Sequence, residues 1–152
     1  MSNRANYIEL APQGLKILLE QEGFLRTQFE QSDTLTLSIW ELVKLRVSQI
    51  NECAYCLDMH SKDALKLGET WSRIVGLSAW RDMPQYSNRE RTALDLAEQL
   101  TLGKTIDETN YQMAIEVFGE KALVILTFAI NAINSWNRIV KVFKPEVGHY
   151  QA

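Results

Sequence analysis

Cysteine and histidine are scarce in this sequence, with two residues of each among 152. It also lacks linkers, low-complexity segments and convincing internal repeats, so we expect a single domain over residues 1–152. A chain of this length buries roughly 70% of the surface that its unfolded form exposes. Neither disulfides nor a structural metal are therefore needed to keep it folded.

An excess of positive charge is also absent. The formal net charge is -3, the isoelectric point is near 5.4, and the basic residues are scattered along the chain. Binding to a nucleic acid backbone requires clustered Lys and Arg that displace counterions. We therefore expect no nucleic acid partner.

Long hydrophobic runs are missing as well. The N-terminal stretch MSNRANYIEL has no apolar run of the signal-peptide kind, and no segment approaches the roughly 20 apolar residues that cross a bilayer. These features predict a cytoplasmic protein with no membrane partner. In a reducing cytosol, two cysteines separated by two residues indicate redox or metal chemistry rather than a permanent crosslink.

The alternation of apolar and polar residues typical of strands is hard to find, whereas apolar residues recur every three or four positions. The pattern predicts an all-α bundle of about seven helices. The first helix spans residues 12–29. The second begins after the N-cap residues Ser32 and Asp33 and runs from Leu35 to Ile50, and the third starts close to Cys53 and stops at Gly68.

The remaining helices have equally clear end signals. Thr70 caps a short helix, TWSRIVGLSAW, that ends before Pro84. The pairs Ser87 with Glu90 and Thr105 with Glu108 match the capping box and predict two helices that end near Gly103 and Gly119. The last helix, EKALVILTFAINAINSWNRIVKVF, ends at Pro145; its apolar surface predicts a position at the bundle centre or at a subunit interface.

Both cysteines and one histidine lie within nine positions, in ECAYCLDMH. On a helix, Cys53, Cys56 and His60 share one face, because each residue advances about 100°. A free thiol with a pKa near 8.5 is only about 3% thiolate at pH 7, and a helix N-terminus and an imidazole both favour the thiolate. A thiolate beside a second thiol can be oxidised by a peroxide to a disulfide, or can exchange with an external disulfide.

Two other interpretations of ECAYCLDMH remain open. Structural zinc needs four ligands, but the chain has no other cysteine, and we expect its second histidine, His149, to lie in a mobile tail. Because too few ligands are available, we predict no bound metal. Alternatively, both cysteines are ordinary buried residues and His60 is a surface residue.

The run WELVKLRVSQINECAYCLDMHSKDALKLG resembles the alkylhydroperoxidase D-like (AhpD-like) group of the carboxymuconolactone decarboxylase superfamily. The motif of that group is a glutamate on one helix followed on the next by Cys-X-X-Cys-X-X-X-His. Glu41, Cys53, Cys56 and His60 match it position by position. The segment INSWNRIVKVF is similar to the closing helix of small members.

The resemblance implies roles for these residues. Cys56 corresponds to the peroxide-reactive thiol and Cys53 to its resolving partner, while His60 and Glu41 correspond to a proton relay. It also implies a hydroperoxide substrate, an external dithiol reductant such as the dihydrolipoyl group of a carrier protein, and a homo-oligomer, a trimer or hexamer. No motif in the sequence indicates a bound cofactor, and we expect none. From the residues alone, Glu41 is predicted to be a solvated carboxylate.

Some residues depart from the pattern or invite another interpretation. Tyr55 replaces a histidine found in relatives, and the dithiol argues against lactone decarboxylation. Trp71 and Trp80 are predicted to be packing anchors, and Arg138 an interface residue. The sequence thus predicts a thiol peroxidase; the alternatives are a general disulfide oxidoreductase, a redox sensor without turnover and a metal-binding module.

Overall fold

The computed structural model describes residues 4–152, and over that range it is entirely helical. The first three residues of the predicted domain lie outside the described residues. The all-α prediction is confirmed, with eight α-helices and one 3₁₀ helix in the described part of the chain. The elements are α1 (Tyr7–Leu10), α2 (Pro12–Glu30), α3 (Leu37–Ile50), α4 (Ala54–Lys66), α5 (Trp71–Gly76), a 3₁₀ helix (Leu77–Asp82), α6 (Asn88–Thr101), α7 (Glu108–Phe118) and α8 (Glu120–Phe143).

Most predicted helix ends are confirmed. The Ser87–Glu90 capping box is formed at the start of α6, and the Thr70 side chain accepts a hydrogen bond from the Arg73 N–H at the start of α5. Gly68 follows the end of α4 with φ 96°, a left-handed conformation in which a glycine has no steric penalty. The short helix α1 was not predicted.

Two predicted caps are wrong. Helix α3 is capped by Thr36 rather than by Ser32 or Asp33; the Ser32 hydroxyl instead accepts from the N–H groups of Thr34 and Leu35 in the preceding turn. Helix α7 is capped by Asp107, whose carboxylate accepts from the Asn110 N–H. In each case a second capping residue lies nearer the apolar helix, and the helix starts there.

The centre of the fold is formed by α3 and α8. Helix α3 packs on α4, α6 and α8, while α8 also contacts α2 and α7. The main core residues of α8 are Leu126, Ala129, Ile130 and Ile133, all at most 3% exposed. A fully buried Leu or Ile contributes roughly 1.5–3 kcal/mol by its removal from water, so this helix is a major source of stability.

Helix α8 is long and apolar enough to cross a membrane by length and composition, with 56% of its most apolar window buried inside the structure. The prediction that no segment approaches a membrane span is therefore wrong as a statement about composition. A core helix covered by neighbouring helices has the same composition, and the packing of α8 in the core explains its apolar surface.

The segment after Pro145 was predicted to be a mobile tail, but it is hydrogen-bonded to α4. The Gly148 N–H donates to Asp58, and the Lys62 ammonium donates to the Tyr150 carbonyl. The Tyr150 hydroxyl donates to Asp63 Oδ1 at 2.8 Å. These bonds place the end of the chain beside the site described next.

Candidate functional site: the Cys53–Cys56 pair

The connection between α3 and α4 brings the two cysteines together. Cys53 is the N-cap residue of α4, with extended backbone angles, and Cys56 lies in the first helical turn. This arrangement separates their Cα atoms by 5.3 Å, and the two sulfurs form a disulfide. Both residues are at most 3% exposed. The predicted redox pair is therefore geometrically formed.

A cluster of amides ties this connection to α8. The Asn51 side chain donates to Asn134 Oδ1 and Asn137 Oδ1, each at 2.9 Å, and Asn137 donates to the Ser48 hydroxyl. The Lys141 ammonium donates to the Asn51 carbonyl at 2.6 Å. Because buried amides are costly to leave unpaired, these bonds hold the chain just before the cysteines in one position.

Glu41 and His60 form a buried pair next to the dithiol. The carboxylate comes from α3 and the imidazole from α4, and His60 Nδ1 lies 2.9 Å from Glu41 Oε2. Burial raises the pKa of Glu41, but the hydrogen bond to His60 and the charge of Lys44 outweigh it and hold that pKa below its usual value of 4.5. The ionised Glu41 accepts the Nδ1–H, which leaves Nε2 of His60 as the proton acceptor of the ring.

Lys44 belongs to the same cluster and was not predicted as a site residue. Its ammonium donates to Glu41 Oε1 at 3.0 Å and lies 3.6 Å from the centre of the Trp40 ring. Its side chain is only 9% exposed. The available signal was a Lys three positions after Glu41 in the apolar stretch WELVKLRV, a spacing that puts both on one helix face.

A second carboxylate approaches the imidazole from α4. Asp63 Oδ2 lies 3.8 Å from His60 Nδ1, and its other oxygen accepts from the Tyr150 hydroxyl. Burial and the hydrogen bond to Asp63 raise the pKa of Tyr150 to about 12, so this phenol stays protonated at neutral pH. The chain end thus fixes the orientation of Asp63 beside His60.

A cavity of about 440 Å³ reaches the site from the surface. Cys56 and His60 both line it, whereas Cys53 does not. The polar groups Glu22, Lys44 and Asp63 also reach the cavity, as do the phenols Tyr7 and Tyr55. The rest of the lining is largely apolar: Leu15, Leu19, Met59, Ile133, Trp136 and Val140. A largely apolar cavity with a few polar groups is typical of sites that bind small molecules, and this one lies against Cys56.

The remaining predicted residues have mixed outcomes. Trp80 is 5% exposed and is a packing anchor as predicted, but Trp71 is 61% exposed and the same prediction is wrong for it. Arg138 donates to the carbonyl and side chain of Asn134, within the amide cluster. The prediction of a solvated Glu41, made from the residues alone, is wrong, because the residue is 7% exposed.

Three potential metal ligands meet at this site. Ligand atoms of Glu41, His60 and Asp63 all lie within 4.8 Å of one another. However, Glu41 already accepts from the Lys44 ammonium, and Asp63 from Tyr150. His149 is 79% exposed and lies 3.6 Å from Glu146. An ammonium in contact with the ligand set opposes a second cation, so the arrangement favours proton chemistry over metal binding.

The family model of the carboxymuconolactone decarboxylase family matches residues 21–99. The sequence is 43% identical over 141 residues to the uncharacterized protein YdfG of Bacillus subtilis, an alignment that covers 91% of this chain and 92% of YdfG. The match contains the α3–α4 pair with Glu41, both cysteines and His60.

Solved structures share the fold. A protein of unknown function from Agrobacterium tumefaciens, whose suggested role is the antioxidant defence protein AhpD, has a TM-score of 0.86 and 31% identity, over 97% of this chain and 99% of that chain. A variant of the debrominase Bmp8 in complex with a tribromopyrrole has a TM-score of 0.76 and 14% identity, over 93% of this chain and 74% of that chain. The second likeness concerns the fold alone.

Proposed function

The chain belongs to the carboxymuconolactone decarboxylase family, and we propose that it is an AhpD-like, thiol-dependent peroxidase that reduces organic hydroperoxides. The observation that carries this proposal is the apolar cavity. It ends on Cys56 and His60, while Cys53 lies behind Cys56 at bonding distance and Glu41 orients His60. This arrangement supports the assignment of Cys56 as the reactive thiol, Cys53 as the resolving thiol and His60 as the base.

In the proposed mechanism, the reaction starts from the reduced dithiol. His60 Nε2 accepts the proton of Cys56, and Glu41 stabilises the resulting imidazolium through Nδ1. The Cys56 thiolate attacks the outer oxygen of the hydroperoxide; the O–O bond breaks, and the leaving alkoxide takes a proton to become an alcohol. The sulfenic acid on Cys56 is attacked by Cys53, which forms the disulfide and releases water.

A second half-reaction restores the dithiol. An external dithiol, such as a dihydrolipoyl group on a carrier protein, attacks the disulfide, becomes oxidised itself and returns both cysteines to thiols. Since Cys56 is the sulfur that lines the cavity, the reductant enters by the same route as the peroxide. We assign the protein to the cytoplasm, where a reducing environment keeps such donors in their thiol form.

Steady-state kinetics tests this proposal. Purified protein should consume cumene hydroperoxide when supplied with dihydrolipoamide, and replacement of Cys56 or Cys53 by Ser should abolish turnover. Glu41→Gln should lower the rate by roughly 10²-fold, because it removes the charge that supports His60 as a base. A rate in the wild type no higher than in Cys56→Ser would contradict the peroxidase assignment.

A general disulfide oxidoreductase of the same fold is the alternative from the same site. It would exchange its Cys53–Cys56 disulfide with dihydrolipoamide at a measurable rate but would leave a hydroperoxide unreduced. Stopped-flow traces with each co-reactant alone separate the two activities. A redox sensor would be oxidised once by the hydroperoxide, and the dithiol would reduce it too slowly to sustain turnover.

A further inference from the structure

Lys44 is a buried cation at the site, and the mechanism above does not use it. Its side chain is 9% exposed, and its ammonium contacts Glu41 Oε1 and the face of Trp40. Burial of an ammonium is unfavourable unless nearby charges and hydrogen bonds compensate for its lost hydration. A lysine held in this way at a reactive thiol calls for a chemical role.

Lys44 and His60 each bond to a different oxygen of the Glu41 carboxylate. Lys44 donates to Oε1 at 3.0 Å, and His60 Nδ1 bonds to Oε2 at 2.9 Å. With one charged donor on Oε1, the carboxylate is held with Oε2 toward the imidazole. Both donors also favour its ionised form.

The Lys44 ammonium balances negative charges of carboxylates near the cavity. Glu22 of α2 lies 3.9 Å from Lys44, Asp63 of α4 lies 3.8 Å from His60, and Glu41 lies between Lys44 and His60. The other titratable groups near this cluster are three phenols, Tyr7, Tyr55 and Tyr150, and two cations, Arg26 of α2 and Lys66 of α4, which line a neighbouring cavity with Glu41 and Lys44. Arg26 and Lys66 do not line the cavity that Cys56 lines, whereas Lys44 does, together with Glu22 and Asp63. Without Lys44, these carboxylates would disfavour the ionisation of the Cys56 thiol, because like charges repel.

We propose that Lys44 is a positioning residue for the Glu41–His60 pair, whose ammonium fixes the carboxylate toward His60 and thereby sustains the thiolate of Cys56. The inference rests on the proposed role of Cys56 as the reactive thiol, and it is independent of which oxidant reacts there. It adds a residue to the site that lies outside the Glu, Cys-X-X-Cys and His pattern.

The test measures thiolate formation without any peroxide. In a Cys53→Ser background, Cys56 is the single free thiol, and its rate of alkylation by neutral iodoacetamide is followed as a function of pH. Removal of a nearby cation raises the pH at which a thiol ionises, so Lys44→Met should move the midpoint upward by roughly one unit. Below the midpoint, one unit corresponds to a roughly tenfold slower reaction.

Two companion variants separate charge from packing. Lys44→Arg keeps a cation in reach of Glu41 and should leave the midpoint within roughly 0.3 units of the parent. Lys16→Met removes an exposed cation of α2 that pairs with Glu20 and does not line the cavity, and it should also leave the midpoint unchanged. If Lys44→Met fails to fold, Lys44→Gln serves instead, since it keeps an N–H donor but loses the charge.

Folded neutral variants whose alkylation profiles coincide with that of the parent would overturn the inference. An equal upward shift in Lys44→Arg would also overturn it, because that result would indicate packing rather than charge. A different result is expected if the peroxidase assignment is wrong but the role of Lys44 is right. The alkylation profiles of the Lys44 variants would still shift, but the wild type would not consume a hydroperoxide. A loss of peroxidase activity with unshifted profiles would reject only the role of Lys44.

Discussion

Each buried charge at the site is stabilised by a neighbour of opposite sign. Glu41 stays ionised although it is 7% exposed, because His60 and Lys44 each bond to one of its oxygens. His60 is thereby fixed in the tautomer that can accept a proton at Nε2. Cys56 of α4 therefore shares the site with two residues from a different helix, Glu41 and Lys44 of α3.

Glu52 occupies a strained position immediately before the dithiol. Its φ of 54° is in the left-handed region, which non-glycine residues adopt at a cost of roughly 1 kcal/mol or more. Glu52→Gly should therefore raise the free energy of unfolding by about 1 kcal/mol in urea denaturation. As a control, Glu116→Gly, at an exposed position inside α7, should lower it by about the same amount. A loss of stability in Glu52→Gly would contradict this account.

The sequence was sufficient for the dithiol and its histidine, because their spacing is local. Glu41 was recoverable only through the resemblance to a family, since a glutamate in a largely apolar helix is compatible with both a solvated and a buried position. Lys44 and Tyr150 were missed for a physical reason. The spacing of Lys44 and Glu41 is local, but the burial of this pair depends on how the neighbouring elements pack on α3, which no local pattern determines. The contact of Tyr150 with Asp63 likewise depends on how the chain end packs on α4.

At the scale of elements, α3 and α4 form the unit that presents the site, and α8 supports it. Cys53 ends the connection between α3 and α4, and its N–H donates to the Ser48 carbonyl at 3.0 Å. Asn137 of α8, fully buried, links Ser48 to Asn51 across the core. This support explains why the longest, most apolar helix also carries a cluster of amides.

The start of α7 illustrates how local patterns mislead at helix ends. Both Thr105 and Asp107 are acceptable caps in the sequence TIDETN, but the structure uses the Asp107 carboxylate, which accepts from the Asn110 N–H at 2.8 Å. Asp107→Ala should cost roughly 1 kcal/mol of unfolding free energy, whereas Thr105→Ala, at an exposed residue, should cost little. Equal effects of the two substitutions in thermal or urea unfolding would contradict the assignment of the cap.

At the scale of the whole molecule, buried carboxylates link stability to pH. Glu98 of α6 accepts from Arg46 of α3 and from Trp80 and Arg81 of the 3₁₀ helix. Burial raises its pKa, but these donors outweigh burial and lower it below the usual 4.5, as also happens for Glu41. A carboxyl group whose pKa is lower in the folded than in the unfolded state stabilises the fold at pH values above its unfolded-state pKa. This stabilisation is lost as the pH falls through its folded-state pKa.

Stability should therefore fall as the pH drops below about 4.5, the ordinary value for these groups. Glu98→Gln should be less stable than the wild type at pH 7 by roughly 1–3 kcal/mol, because charged donors lose an ionised partner. It should also lose less stability on acidification. Urea denaturation between pH 3 and pH 7 measures both effects; parallel curves for the two proteins would contradict the assignment.

Exposed apolar side chains on α7 and α8 support the proposal of a homo-oligomer, a trimer or hexamer. Phe128, Val124 and Tyr111 are 44–53% exposed and line one shallow groove. Phe128→Lys should shift the sedimentation velocity of the protein toward that of the monomer, because it puts a charge into a buried contact. Val75→Lys, on α5, should leave the assembly unchanged. A wild type that sediments as a monomer would contradict the proposal.

The most direct measurement of the central claim is the intact mass of the fully reduced protein before and after one equivalent of cumene hydroperoxide. The wild type should lose two hydrogens, about 2 Da, as the Cys53–Cys56 disulfide closes. Cys53→Ser should instead gain one oxygen as a sulfenic acid on Cys56, and Cys56→Ser should stay unchanged. An unchanged wild-type mass over minutes, or oxygen gained by Cys56→Ser but not by Cys53→Ser, would contradict Cys56 as the peroxide-reactive thiol.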